Sequence, residues 1–283
     1  MFKLFLTIIF STLSIACALG QGVEQTLALG HRMYGMQQYE RASRYFKRVT
    51  FFGNDSIRTI TYPLLASCYL KTGNYSQSLF YYQLALNTTK SDSLYNEYVF
   101  SRALCNILMH EYDLALREIY SFNDYGSAYF QRKYHFYLGV VFLKKNDPVR
   151  SQHHFTYASR NSDEFSMITK AFNTAELNSP NPLTAKVLSI FVPGLGQLYA
   201  GDPSDAANSF LLNAGLGTLL IAVALNQTFL DGLLTVGPWL QRYHAGGYNK
   251  AERIAIIKRE QKRDQLLNSI YTIFYEGNSN PIH

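Results

Sequence analysis

The sequence predicts an all-α chain: an α-solenoid of helical hairpins followed by a helical domain embedded in a membrane. Three observations predict it. A pattern of small and aromatic residues recurs four times between residues 24 and 160, its small residue falling at Ala42, Ser78, Ala115 and Ser151, 36, 37 and 36 residues apart. Residues 206–225 then run for 20 positions without a charge, the length a helix needs to cross a hydrocarbon core. Finally, the chain is 47% hydrophobic but only 16% charged, with 22 Tyr and 19 Phe, so it has ample core material and few charges to solvate an ordinary surface.

The N-terminus reads as an address. Lys3 supplies a basic start, residues 4–18 are apolar apart from Ser and Thr, and Ala18-Leu19-Gly20 places small residues where a signal peptidase cuts. Residues 1–20 are therefore expected to be a signal peptide, and the chain to be exported. Two assignments compete: an uncleaved signal anchor, against which the short apolar run argues, and a lipoprotein acylated on Cys17, although Ser14-Ile15-Ala16-Cys17 lacks the Leu expected three residues before the cysteine. Cleavage would leave Cys68 and Cys105, enough for one disulfide at most.

The repeats follow, expected over 24–178. Their second helices open with Gln38-Tyr39-Glu40-Arg41-Ala42, Asn74-Tyr75-Ser76-Gln77-Ser78 and Glu111-Tyr112-Asp113-Leu114-Ala115, with Pro148 replacing the Tyr in the fourth. Where two helices cross closely only Gly, Ala or Ser leaves room, while Tyr and Phe at the next turns fill the grooves between hairpins. A single hairpin cannot bury those rings, but a stack can. Phe165, Ile168 and Phe172 share one face of residues 164–177, which reads as a helix capping the stack. Cys68 and Cys105 share a register position in consecutive repeats. Packed helix axes lie about 8–10 Å apart and a disulfide needs Cα atoms within about 7 Å, so two buried free thiols are expected.

Leu29-Gly30 and Leu138-Gly139, with the near match Leu65-Ala66, precede these second helices at matched spacing. The combination resembles the tetratricopeptide repeat (TPR) family, whose period is about 34 residues; repeat three departs from it with Arg102-Ala103. The resemblance implies that a protein or peptide partner lies along the concave face of the first helices. Carried over by register, that face holds His31, Tyr34, Ser67, Lys71, Phe100, Phe136 and Lys144. Such a mixture suits an extended peptide bearing carboxylates. On a competing reading Phe100 and Phe136 are simply core.

At Ser179-Pro180-Asn181-Pro182 the helical pattern stops, and residues 179–182 read as a linker. A membrane-associated helical domain is expected over 183–245. Its central stretch contains Gly215 and Gly217, as is common where membrane helices pack. The flanking apolar pieces, 187–200 and 228–240, are too short to span and read as re-entrant or interfacial. The run Pro193-Gly194-Leu195-Gly196-Gln197-Leu198-Tyr199-Ala200-Gly201 resembles a motif of small bacterial integral-membrane domains of unassigned role, sometimes found after TPR repeats. Its marked positions are Pro193, Gly194, Gly196, Gln197, Tyr199 and Gly201, and the resemblance implies membrane placement without an activity. Residues 249–275 read as a basic amphipathic helix. An excess of Lys and Arg marks the cytoplasmic side of a membrane segment, or alternatively holds anionic headgroups on the outer surface.

Little points to chemistry. His153 and His154 are adjacent and diverge on a helix, so they read as solvated residues rather than metal ligands. No nucleophile elbow, phosphate-binding loop or zinc-protease motif is present. Asp231 is the one ionisable residue inside an apolar stretch. The four N-x-S/T triplets, at Asn54, Asn74, Asn87 and Asn226, read as chance matches. The net charge of +6 is scattered until the C-terminal region, which argues against nucleic acid. The expectation is a non-catalytic, membrane-anchored scaffold of the cell envelope with its repeats on the periplasmic side. It would need no cofactor or metal and would contact membrane lipid. An accessory part of a transport or protein-insertion apparatus is the alternative.

Overall fold

The computed structural model describes residues 22–123 and 126–276; the expected signal peptide lies outside them. Among the described residues every regular element is a helix. The chain forms two compact units, divided after Ala158.

The first unit contains four hairpins: α1 (Val23–Gly35) with α2 (Tyr39–Phe52), α3 (Asp55–Lys71) with α4 (Tyr75–Thr88), α5 (Asp92–Leu108) with α6 (Tyr112–Tyr120), and α7 (Ala128–Lys144) with α8 (Pro148–Tyr157). Each helix packs on the next, and α5 also meets α7. All four hairpins turn in the same way. Gln37, Gly73, His110 and Asn146 adopt left-handed backbone. The next residue in each case, Gln38, Asn74, Glu111 or Asp147, donates its N–H to a carbonyl five residues back, on Met33, Tyr69, Asn106 or Phe142. This closure satisfies carbonyls that a helix end would leave bare. Asn54 and Asn74, two of the N-x-S/T asparagines, accept from Ile57 and Gln77 N–H as helix N-caps, which gives them a local role.

The expected small-residue register places the crossings. Gly30, Ala66, Ala103 and Gly139 on the first helices face Ala42, Ser78, Ala115 and Ser151, all of them buried. The Ser78 and Ser151 hydroxyls donate to the Ala66 and Gly139 carbonyls, both at 2.8 Å. One turn further on, Phe46 and Phe155 lie over the two glycines: a Cβ on Gly30 would sit 2.5 Å from the Phe46 ring, and one on Gly139 would sit 2.8 Å from Phe155. Where the first helix carries Ala instead, the residue at the same register position of the second helix is Tyr82 or Ile119. Cys68 and Cys105 are buried, free thiols. Burial pushes the Cys68 thiol up to about 12 and raises Cys105 as well, so neither offers a thiolate.

The second unit contains α9 (Ser162–Thr174), α10 (Pro182–Phe191), α11 (Leu195–Tyr199), α12 (Pro203–Asn226), α13 (Phe229–Thr235) and α14 (Gly237–Glu276). Two features differ from expectation. Helix α9, read from sequence as a cap of the repeats, packs along α14 inside the second unit; Ile168 and Phe172 are buried but Phe165 is exposed. The basic helix expected over 249–275 is also no separate element. Helix α14 runs unbroken for 40 residues from Gly237, through Gly246 and Gly247. Gly237-Pro238 starts a helix rather than interrupting one, because proline is tolerated in a first turn where its missing N–H has no partner to lose. The basic residues of α14 are largely paired within the unit. Lys250 meets Asp205 at 2.7 Å, Lys262 meets Glu176 at 3.4 Å, Arg259 donates to the Leu177 carbonyl, and Glu252 accepts from Lys186 at 2.8 Å.

Helix α12 has 24 residues, and its most apolar window has a mean hydropathy of 1.7 with 6% of it buried. It is long and apolar enough to cross a membrane.

Candidate functional site: the first-helix face and the motif junction

The first-helix face of the repeat unit divides on inspection. Phe100 is fully buried and is not available to a partner. Phe122, in the segment after α6, folds back over it at 5.4 Å between ring centres, and Phe130 and Tyr137 close the remaining sides. Phe136 is half-buried against Phe155 at 5.6 Å. His31 and Lys71 are exposed, with His31 edge-on to Phe46 at 5.5 Å. Lys144 is half-buried. Tyr34 and Ser67 share a 2.6 Å hydrogen bond between neighbouring hairpins, which fixes both.

A polar clasp that the sequence reading did not anticipate joins the third and fourth first helices. Glu97 accepts from Lys133 and, at 3.0 Å, from Tyr129, while the Lys133 ammonium lies over the Phe100 and Tyr129 rings at 5.4 and 5.6 Å. Glu97 and Lys133 stand 36 residues apart, so opposite charges at one register position were the available signal. A histidine cluster was also missed. His153 is exposed as expected, but His154 is half-buried, stacked on Phe142 at 5.3 Å and bonded Nδ1 to Nδ1 with His135 at 3.0 Å. Among the described residues no group of three or more His, Cys, Asp and Glu side chains is placed to hold a metal ion.

In the second unit the motif positions converge on one junction. Gly194 takes left-handed backbone at φ 92°, and a Cβ there would lie 2.4 Å from the Ala206 carbonyl oxygen. Gly196 sits where α11 crosses α10, and a Cβ there would fall 1.8 Å from the Ala185 carbonyl oxygen. Gln197 is fully buried. Its Oε1 accepts from Ser189 at 2.7 Å and its Nε2 donates to the Gly247 carbonyl at 2.9 Å, so this one side chain ties α10, α11 and α14 together. The Ser189 hydroxyl accepts in turn from the Gly196 N–H at 3.0 Å. The Tyr199 hydroxyl accepts from the Asn181 N–H at 3.1 Å, holding the start of α10. Gly201, at φ 82°, repeats the hairpin closure of the first unit: the next residue, Asp202, donates its N–H to the Gln197 carbonyl and then caps α12 through Asp205 N–H. Asp231 has a local role as well, pairing with the N-cap Thr228 at 2.6 Å in the first turn of α13.

Beside the junction, α12, α13 and α14 enclose an apolar cleft of about 850 Å³ whose lining includes Pro193, Phe210, Gly217, Leu220, Leu233 and Leu240.

No family model, no curated protein and no solved structure matches the chain.

Proposed function

We propose that the chain is a non-catalytic scaffold of the cell envelope, exported and anchored in a membrane by its second unit, with TPR-type repeats in an α-solenoid binding a protein or peptide partner. The observation that carries the anchoring is how little of the apolar helix α12 is buried. A core helix of this hydropathy hides its side chains, whereas only 6% of the apolar window of α12 is buried. Apolar surface left in water costs about 25 cal/mol per Å², and a bilayer removes that cost along the whole helix. The fully buried alanines around the junction, Ala185, Ala251 and Ala255, are of the small type that lets helices approach closely in lipid.

The partner surface in this reading is His31, Lys71 and Lys144, with Tyr34 and Ser67 as its fixed floor. The motif glycines are accounted for by helix packing at Gly194 and Gly196 and by left-handed backbone at Gly194 and Gly201, which favours a scaffold over a transport or insertion component. Carbonate extraction of cells expressing the full chain tests the anchor. Retention in the membrane pellet is the expected result, and release into the soluble fraction would end the reading. A photo-crosslinking residue at Lys71 tests the surface. It should capture a protein that the same residue at Phe80, exposed on the second helix of repeat two, does not.

A further inference from the structure

The cleft between α12, α13 and α14 has a second compartment. Asn213 lines the apolar cleft and also a smaller polar cavity of about 310 Å³, whose walls include Ser209, Arg242 and Lys250. Asn213 is 93% buried, and its Oδ1 has no hydrogen-bond partner; nor does the buried Ser209 hydroxyl one turn away. Leaving such atoms unpaired costs about 1–3 kcal/mol each, so two orphans side by side at a cavity wall point to a group that enters and bonds them. Arg242 is exposed at the same cavity. Lys250 is paired with Asp205 at 2.7 Å, which leaves the charge of Arg242 uncompensated there.

We infer that the two compartments together bind one anionic phospholipid. An acyl chain lies in the apolar cleft, and the headgroup phosphate reaches Arg242 in the polar cavity. A headgroup hydroxyl donates to Asn213 Oδ1, and Ser209 completes the set. The apolar compartment falls within the usual range of ligand pockets, and one face of α12 lines it with Phe210, Ala214, Gly217 and Leu220, where a lipid would enter sideways. This rests on the membrane reading of α12 above.

Trp239 is the only tryptophan in the chain, and it stands in α14 between the cleft residues Pro238 and Leu240. The full chain is reconstituted in phosphatidylcholine vesicles carrying a minor fraction of either phosphatidylglycerol or phosphatidylcholine with brominated acyl chains, and quenching of Trp239 is read. One uncompensated basic side chain favours an anionic lipid about fivefold, so brominated phosphatidylglycerol should quench at about one-fifth the mole fraction that brominated phosphatidylcholine requires. Two variants locate the effect. A Cβ on Gly217 meets nothing within 4 Å, so Gly217→Phe leaves the helix into open space, fills the cleft and should abolish the preference. Arg242→Gln should reduce it to near parity while leaving the cleft open.

Equal quenching by both lipids in the unaltered chain overturns the proposal. So does a preference that survives Gly217→Phe, since the lipid would then be held by surface charge alone. Saturable binding of inorganic phosphate by the solubilised chain, lost in Arg242→Gln, together with equal quenching by both lipids, overturns it too, assigning the polar cavity to a free anion. Absence of quenching even when every phosphatidylcholine is brominated overturns the membrane reading itself, and the lipid site with it.

Discussion

The core of the repeat unit and the junction of the second unit bury different kinds of side chain. In the repeat unit the fully buried residues include Phe46, Phe100, Phe122 and Phe155, the largest of the fully buried side chains. Around the junction of the second unit the fully buried residues are Ala185, Ala251 and Ala255, with the amide Gln197, while Phe191, Leu211, Leu225 and Leu234 are each at least 68% exposed. Removal of apolar area from water explains the first arrangement. It cannot explain the second, where close backbone approach and a buried hydrogen-bond network hold the helices and the apolar bulk faces outward. An ordering of that kind is stable where the surrounding medium is itself apolar, because helix association there depends on close packing and polar contacts. The contrast is independent of any motif.

The sharpest way to break this comparison is at Gly196. The atom that a Cβ would strike is the Ala185 carbonyl oxygen, at 1.8 Å, and a backbone atom cannot rotate away. Gly196→Ala should therefore force α10 off α11 and disconnect the Ser189–Gln197 pair, costing at least about 3 kcal/mol, the upper end of overpacking penalties. Detergent-solubilised protein should show premature loss of the Trp239 emission signature on heating while the repeat unit stays helical. An unchanged Trp239 transition would mean that the junction does not hold the second unit together.

The corresponding glycine in the repeats faces a side chain instead, so it should yield more cheaply. Gly139→Ala pushes against the Phe155 ring at 2.8 Å, with an expected cost of about 1–3 kcal/mol. The chain also contains its own repair, since repeat three carries Ala103 and Ile119 at the same two register positions. Gly139→Ala combined with Phe155→Ile should be more stable than the sum of the single effects by about 1 kcal/mol or more in a double-mutant cycle. Simple additivity in thermal unfolding would show that the Gly–Phe and Ala–Ile pairings are accidental.

That pairing shows what was legible in the sequence and what was not. Ala42, Ser78, Ala115 and Ser151 could be placed because steric exclusion acts at a fixed position in every repeat, so periodicity carries the information. The burial of Phe100 could not be read, because its cover comes from Phe122 in a segment with no register. The continuity of α14 was hidden for a related reason. The sequence places a boundary between residues 245 and 249, yet the Gly247 carbonyl is held by Gln197 and a Cβ there would lie 2.9 Å from the Ser209 hydroxyl, so the small residue serves a crossing 50 positions away in sequence. The motif residues could be marked as unusual, but their geometry depends on α10 and α14, which the motif does not contain.

A smaller effect separates the units by acid. The His135–His154 hydrogen bond needs one Nδ1 to donate and the other to accept, so it is lost when both rings are protonated. Burial first, then the charges of His135, His153 and Arg150, holds His154 down to about 4; burial and His153 lower His135 as well. A histidine whose folded value lies below its unfolded one contributes stability that is complete above about pH 6.5 and falls away as the pH drops towards 4, because the unfolded chain takes up the proton first. With the pair half-exposed, solvent screening reduces the expected loss to about 1–2 kcal/mol. Thermal unfolding of the repeat unit, followed by circular dichroism at about pH 7.5 and about pH 4.5, should show a drop that His154→Gln largely removes. Trp239 emission should report a smaller shift, since the second unit has no comparable cluster among its described residues. A drop of equal size in the His154→Gln protein would place the acid sensitivity in the carboxylate pairs instead, of which Glu97 with Lys133 is the first to examine.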